Sequence, residues 1–329
     1  MKILAIRFAR LGDVLLLLPA LTSLKEKFPD SKLMFLTGHR CAPIGEMCPA
    51  IDEVISVDRI AMRDGPAINA LVEMTRLVRM IRSRQFDMVI DFHSFRETNL
   101  LTWLSGAQVR IGMKRHRAAY WGFCFNRPPV VEDKRIHVAE MFERVVAGIP
   151  SPGLRPPSPG GRGPVLQISA SIRQKQQKKI ALFVDAPVLD RIWAQERFAA
   201  VADFAIEKLG ATVVVISSSA GAELAARVRA SSKHGQELLV VSNVGLPELA
   251  ATIASSRLLV SNDTGPMHIG PAVGVPTLGL FSVGYPEHFR PIGPTDRYLR
   301  RNPIGKIEVQ DVIANVEEMW TTAGPDLRR

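Results

Sequence analysis

Residues 258–268, LLVSNDTGPMH, decide the fold. The apolar run 258–261 reads as a strand, and the next residues read as the start of a helix: Asp263 or Thr264 can cap it and Pro266 suits its first turn. A strand that hands over directly to a capped helix is the turn of a parallel α/β unit, where ligands sit at the carboxyl ends of the strands. The helix start points N–H groups outward and carries partial positive charge, and Gly265 has no side chain to hold a diphosphate off the backbone. Plain helix capping would produce the same pattern, so the local sequence leaves both readings open.

Outward from this stretch, strand and helix alternate. Strands are expected at 180–184, 212–217, 237–241 and 277–281, with helices at 196–209, 221–232 and 246–255. The first half repeats the scheme, with strands at 2–8, 32–37, 53–57, 87–92 and 109–111 and helices at 14–28, 67–84 and 96–105. Between the halves, 148–164 (GIPSPGLRPPSPGGRGP) is too rich in Pro and Gly for a helix or an interior strand. The predicted organisation is an α/β chain of two doubly wound, Rossmann-like domains. These are an N-terminal domain at 1–150, a Pro/Gly-rich and basic linker at 151–178, a C-terminal domain at 179–306, and a last amphipathic helix at 307–329 that crosses back to the first domain.

Composition narrows the classes. A chain of 329 residues, 47% hydrophobic and 22% charged, can fill two cores. Its longest apolar stretch, 14–21, is interrupted by Pro19 and falls short of the roughly 18 residues that span a bilayer. A leader-peptide reading of the basic start and Leu15 to Leu18 meets Asp13 beside the apolar run and no small-residue cleavage site, so a cytoplasmic protein is expected. Cys41, Cys48 and Cys124 lack the spacing of a zinc site and read as reduced thiols. The net charge of +10 favours an acidic partner: nucleic acid, a phosphate-bearing substrate or an anionic membrane surface.

Further residues could carry chemistry. Arg10-Leu11-Gly12-Asp13 lies where the first strand turns into the first helix, so Asp13 sits at the sheet's carboxyl edge as a candidate general base; a helix-capping carboxylate is the alternative. The chain holds no D-x-D pair and no His or Cys cluster with ligand spacing, so no metal and no cofactor are expected. A departing diphosphate would then rely on the helix start and on cations such as Arg191, whose planar fork suits phosphate, although most arginines are simply solvated. Lys114, Arg115, Arg117, Arg127, Lys134 and Arg135 stand against only Glu132 and Asp133. They suit an acceptor's phosphates or anionic lipid heads. No zinc-finger or aromatic RNA-binding motif supports nucleic acid.

Together these features make the chain resemble glycosyltransferase family 9, the ADP-heptose:lipopolysaccharide heptosyltransferases, over nearly its whole length. The resemblance rests on Ile6-Arg7-Phe8-Ala9-Arg10-Leu11-Gly12-Asp13-Val14 with Pro19-Ala20-Leu21, and on Asn262-Asp263-Thr264-Gly265-Pro266-Met267-His268 leading into Gly274-Val275-Pro276. Phe281, Pro286 and Arg290-Pro291-Ile292-Gly293-Pro294 also match. It implies a GT-B fold whose two domains face a cleft, and inversion at the anomeric carbon. ADP-heptose would be the donor and an anionic lipopolysaccharide or glycolipid the acceptor, met at the inner face of the cytoplasmic membrane.

In that reading Asp13 is the base, and Gly12, Arg115 and Arg117 lie on the acceptor side. Thr264 and Gly265 hold the diphosphate with Arg191, Asp263 and His268 contact the donor sugar, Glu223 the ribose and Val244 the adenine edge. Two departures stand out: Arg191 replaces the family's usual Lys, and Asp185-Ala186-Pro187 stands where Ser or Thr is common. A sugar-nucleotide epimerase or hydrolase on the same architecture, and a non-catalytic basic nucleotide-binding protein, are the alternative functions.

Overall fold

A computed structural model describes residues 1–58, 67–116, 118–150, 164–169 and 178–322. The chain forms two compact units, Met1–Gly160 and Gly161–Arg329. In the first unit β1 (Lys2–Arg7), β2 (Lys32–Gly38), β3 (Glu53–Val57), β4 (Met88–Asp91), β5 (Val109–Lys114) and β6 (Val130–Val131) form one sheet in the order 3-2-1-4-5-6. All of its pairings are parallel. The second unit repeats the order with β7 (Lys179–Phe183), β8 (Thr212–Ser217), β9 (Leu239–Ser242), β10 (Leu258–Asn262), β11 (Thr277–Phe281) and β12 (Arg297–Arg300), running 12-11-10-7-8-9. Each is the doubly wound arrangement expected from the alternation of elements.

The central strands are near-continuous apolar runs because helices cover both faces of a parallel sheet. In β1, Ile3 to Arg7 are all buried, and β10 is buried throughout. Register then fixes the functional edges. Ile6 pairs with Asp91 and Phe183 with Ser261, so β1 lies beside β4 and β7 beside β10. At these two places the strand order reverses and successive helices leave to opposite faces, which opens a crevice beyond the carboxyl ends.

Several details depart from the sequence expectations. The helix expected at 14–28 is two pieces, Leu11–Leu15 and Leu18–Lys27. Pro19 lies in the first turn of the second piece, because proline has no N–H to continue a helix yet suits the start of one. Gly12 is buried inside the first piece, and its φ is not positive. The short edge strands β6 and β12, the helix Val138–Ala147 and the short helices Ala42–Glu46 and Pro286–Phe289 were not anticipated.

Most of the expected linker lies outside the described residues. Its described part, 164–169, packs on the second unit: Val165 and Leu166 both donate from backbone N–H to the Ala272 carbonyl, each at 2.9 Å. The last helix, Val309–Thr322, buries Val312, Val316 and Met319 in the second unit's own core beside Trp193 and Phe198.

Close packing sets the site's floor. A Cβ at Gly270, in the helix Ile269–Val273, would lie 2.0 Å from Thr277 Oγ1 of β11. Gly270→Val should therefore destabilise the protein by about 1–3 kcal/mol, as overpacking does; urea denaturation checks this, and an unchanged midpoint would contradict it.

Candidate active site

In the first unit the carboxyl ends of β1 and β4 gather charge. Arg7, the last residue of β1, is almost fully buried, and Asp13, with its side chain 29% exposed, accepts from Arg7 Nη2 at 2.7 Å. Arg7 Nη1 donates to the Phe92 carbonyl at 2.7 Å, and its guanidinium lies 5.0 Å from the centre of the Phe142 ring. Burial pulls the Arg7 pKa down to about 10, against the pull of Asp13. Asp13 does not cap its helix; no side chain does, and the carboxylate is held by Arg7 through Oδ1 alone.

Arg115 converges on the same point. Its Nη2 donates to the Phe92 carbonyl at 3.2 Å, its guanidinium lies 5.5 Å from the Phe95 ring centre, and Glu132 is 3.9 Å away. Beneath them Asp91 ends β4, fully buried, with Oδ1 accepting from the backbone N–H of His93 at 3.0 Å and of Ser94 at 2.7 Å. Burial pushes the Asp91 carboxyl up to about 7 despite these bonds. Ser94 follows at φ 51°, left-handed and uncommon for a residue other than Gly. Arg117, expected on this side, lies outside the described residues.

The second unit's crevice lies where β7 meets β10. Asn262, at the end of β10, is buried; its Nδ2 donates to the Val184 carbonyl at 3.0 Å and its Oδ1 accepts from the Trp193 N–H at 3.1 Å. Trp193 is itself buried, with Nε1 donating to the Ile307 carbonyl at 3.0 Å and its ring edge-on to Phe198. This anchoring fixes Arg191, two residues earlier, beside Asp263, with Nη1 to Oδ2 at 3.2 Å. Ser282 Oγ adds a bond to the Asp190 carbonyl. Burial raises the Asp263 pKa, and the neighbouring Arg191 offsets part of that rise. Gly284 must lack a side chain, because a Cβ there would come 2.3 Å from Asp263 Oδ2.

The helix start expected after Asp263 takes a tighter form. Thr264 is extended and precedes a single 3-10 turn, Gly265–His268, which leads into the five-residue helix Ile269–Val273. Neither Asp263 nor Thr264 caps it with a side-chain bond. A helix this short sums few peptide dipoles, so an anion held here would rely on local N–H groups and Arg191 more than on a macrodipole. His268 is buried at the end of the turn.

The remaining expected residues lie along the same edge, away from this cluster. Glu223, 78% exposed in the first turn of the helix after β8, pairs with Arg227 at 2.9 Å. Val244 is half-buried in the loop after β9. Asp185, at the end of β7, is turned inward, with Oδ2 accepting from the Ser218 backbone N–H at 2.9 Å and from the Ser218 hydroxyl. Among the described residues no group of three or more His, Cys, Asp or Glu is placed to share a metal ion, and no helix is long and apolar enough to cross a membrane.

Two parallel nucleotide-type sheets of one topology, each with a polar cluster at its point of strand reversal, define an α/β glycosyltransferase architecture. Residues 74–314 match Glycosyltransferase family 9 (heptosyltransferase), and the chain belongs to that family. Among similar proteins, lipopolysaccharide heptosyltransferase 1 of Salmonella typhimurium is 26% identical, with 90% of this chain and 89% of that protein covered. The crystal structure of a family 9 glycosyl transferase from Veillonella parvula superposes with a TM-score of 0.82 at 23% identity, covering 98% and 97% of the two chains. The E. coli heptosyltransferase WaaC with ADP superposes at 0.80 with 20% identity over 97% and 100%. The fold is GT-B.

Arg7, Asp91 and Ser94 escaped the sequence reading. A charge closing an apolar strand was the available signal for the first two, but only the strand order shows that both reach one crevice. Asn262→Ala would strand the Trp193 N–H and the Val184 carbonyl without partners. A loss of about 2–4 kcal/mol is expected, since each buried unpaired group costs about 1–3; a loss below about 1 kcal/mol in chemical denaturation would contradict the bridging role.

Proposed function

We propose that the protein transfers a heptosyl group from ADP-heptose to the lipopolysaccharide inner core or a related lipid-linked acceptor, with inversion and without a metal. The observation that carries this reading is the ion-paired Asp13. Arg7 occupies one carboxylate oxygen, which leaves the other oxygen to accept a proton. Asp13 takes the proton of the acceptor hydroxyl as that oxygen bonds to the anomeric carbon; the bond from that carbon to the diphosphate breaks on the opposite face, and ADP leaves with the electron pair. Arg191 and the N–H groups of the 264–268 turn meet the charge that develops on the phosphate.

The order of the strands supports the donor's lie. Parallel strands are about 4.8 Å apart, so β10, β7, β8 and β9 span about 14 Å, roughly an extended ADP. The diphosphate would sit at Thr264 and Gly265, the ribose near Glu223 after β8, and the adenine edge near Val244 after β9. Asp263 and His268 would hold the sugar, and Arg115 with Gly12 would lie on the acceptor side. The hydroxyls missing at Asp185-Ala186-Pro187 leave Arg191 the larger share of the phosphate charge. The heptosyltransferase names among the relatives support ADP-heptose and a lipopolysaccharide acceptor; a lipid-linked acceptor would be met at the inner face of the cytoplasmic membrane.

Purified protein given a panel of nucleotide sugars and a truncated lipopolysaccharide acceptor should add the mass of one heptose to the acceptor from ADP-heptose alone. Free heptose released without an acceptor product would indicate a hydrolase instead. Asp13→Asn should lower kcat by about 100-fold or more, in the range of a lost general base, while ADP binding by calorimetry is retained; near-normal turnover would remove Asp13 from that role. The rate should survive EDTA in full, and a rate lost to EDTA and restored by magnesium would defeat the metal-free mechanism.

A further inference from the structure

We propose that one side of the first unit, built from the helix Arg96–Leu104 and the segment 120–127, is a docking face for an anionic lipid bilayer; this rests on the lipid-linked acceptor proposed above and names the surface that brings the enzyme to it. Three rings form the patch. Trp103, in the last turn of the helix, is 46% exposed, and Phe123, in the turn Gly122–Cys124, is 65% exposed. The two meet edge-on at 6.0 Å between ring centres, and Trp121 stacks on Phe123 at 6.1 Å.

Their exposure is built in. Arg110 Nε donates to the Cys124 carbonyl at 3.0 Å, and the backbones of Arg110 and Asn126 are tied in both directions, the Arg110 N–H to Asn126 Oδ1 at 2.9 Å and the Asn126 N–H to the Arg110 carbonyl at 3.1 Å. Asn126 Nδ2 also donates to the Gln108 carbonyl at 2.7 Å. Cys124 and Phe125 are buried between these anchors. The segment is thus bolted to β5 while Phe123 is held outward.

The charge around the rings selects the occupant. Among the described Lys and Arg of 96–135, Arg96, Lys114, Arg127, Lys134 and Arg135 are exposed, while Arg110 and Arg115 are turned into the fold. Arg96 is seven residues before Trp103, two helical turns and so on the same face about 10 Å away. Arg127 is exposed just beyond Phe123, and Lys134 is exposed as well. Of the acids, Glu132 accepts from the His116 N–H at 3.0 Å, Asp133 pairs with Arg135 at 2.9 Å, and Glu97, exposed on the same helix, lies 4.0 Å from His93. Amphipathic and apolar rings ringed by cations match the headgroup zone of an anionic bilayer, where rings enter the acyl boundary and Lys and Arg meet phosphates. A second copy of the chain would bring another +10 charge to the same face and be repelled. Phe123 and Trp121 already stack on each other, which leaves a nucleic acid at most one face of each ring for stacking.

The test is flotation of the full-length protein, without donor or acceptor, with vesicles of phosphatidylethanolamine and phosphatidylglycerol compared with neutral phosphatidylcholine vesicles. The wild type should partition at least about tenfold more strongly onto the anionic vesicles, and the Trp103→Gln/Phe123→Ser double variant should lose about tenfold of that partitioning, as should Arg127→Glu by a smaller factor. Unchanged circular dichroism and unchanged transfer to a water-soluble truncated acceptor would show that the variants fold and that the site is intact. Equal binding to neutral vesicles, anionic binding unaffected by the double variant, or loss in that variant of self-association or oligonucleotide binding in place of vesicle binding would each overturn the proposal. Anionic binding that depends on the rings in a protein that moves no heptose would uphold this face and refute the proposed function alone.

Discussion

Both units depend on one constraint: in a parallel, right-handedly wound sheet whose strand order reverses, the two central strands end beside each other with nothing between their loops. Backbone and side-chain polar groups released there must find partners, a ligand or water. In the first unit they find each other, as Arg7 and Arg115 converge on the Phe92 carbonyl and Arg7 holds Asp13. In the second unit Asn262 ties β10 to Val184 and Trp193, and that tie places Arg191 against Asp263.

The electrostatics differ between the crevices in a way that suits different tasks. Arg7 is a buried cation whose pKa falls through desolvation, a cost offset by Asp13, the Phe142 ring and a carbonyl. Such a charge is rigid, so it orients a partner better than it follows a moving ligand. Arg191 is a third exposed, on a one-turn loop anchored at Trp193 and Ser282, and under the proposed function it would trade Asp263 for a phosphate. Asp185 is turned into the Ser218 loop, and a Cβ at Gly221 would come 2.0 Å from its Oδ2.

Much of the architecture was legible in the residues because parallel strands are apolar on both faces and their helices keep a 3.6-residue stripe, so the periods change cleanly along the chain. What was missed has reasons. β12, Arg-Tyr-Leu-Arg, alternates half-buried with exposed positions at a sheet edge and has no apolar run to mark it, and β6 is two residues long. Pro19 opens a second helix, so two exist where the apolar period alone suggests one. Asp13, Asp263 and Arg191 could be singled out because Gly, Pro and Trp punctuate their neighbourhoods. Arg7 and Asp91 could not, since their meaning lies in β1 and β4 being neighbours although 80 or so residues apart in sequence, as the pairing of Ile6 with Asp91 makes plain.

The central claim is that the second unit alone grips the nucleotide, at the reversal of its own sheet, while the first supplies the carboxylate. Hydrogen–deuterium exchange with and without saturating ADP tests this most directly. The account predicts slowed exchange in the second unit, at residues 185–193, 218–223, 243–246 and 263–268, with the backbone around Arg7, Asp13 and Asp91 unchanged. Protection centred on residues 7–13 and 91–95, with none at 263–268, would contradict it.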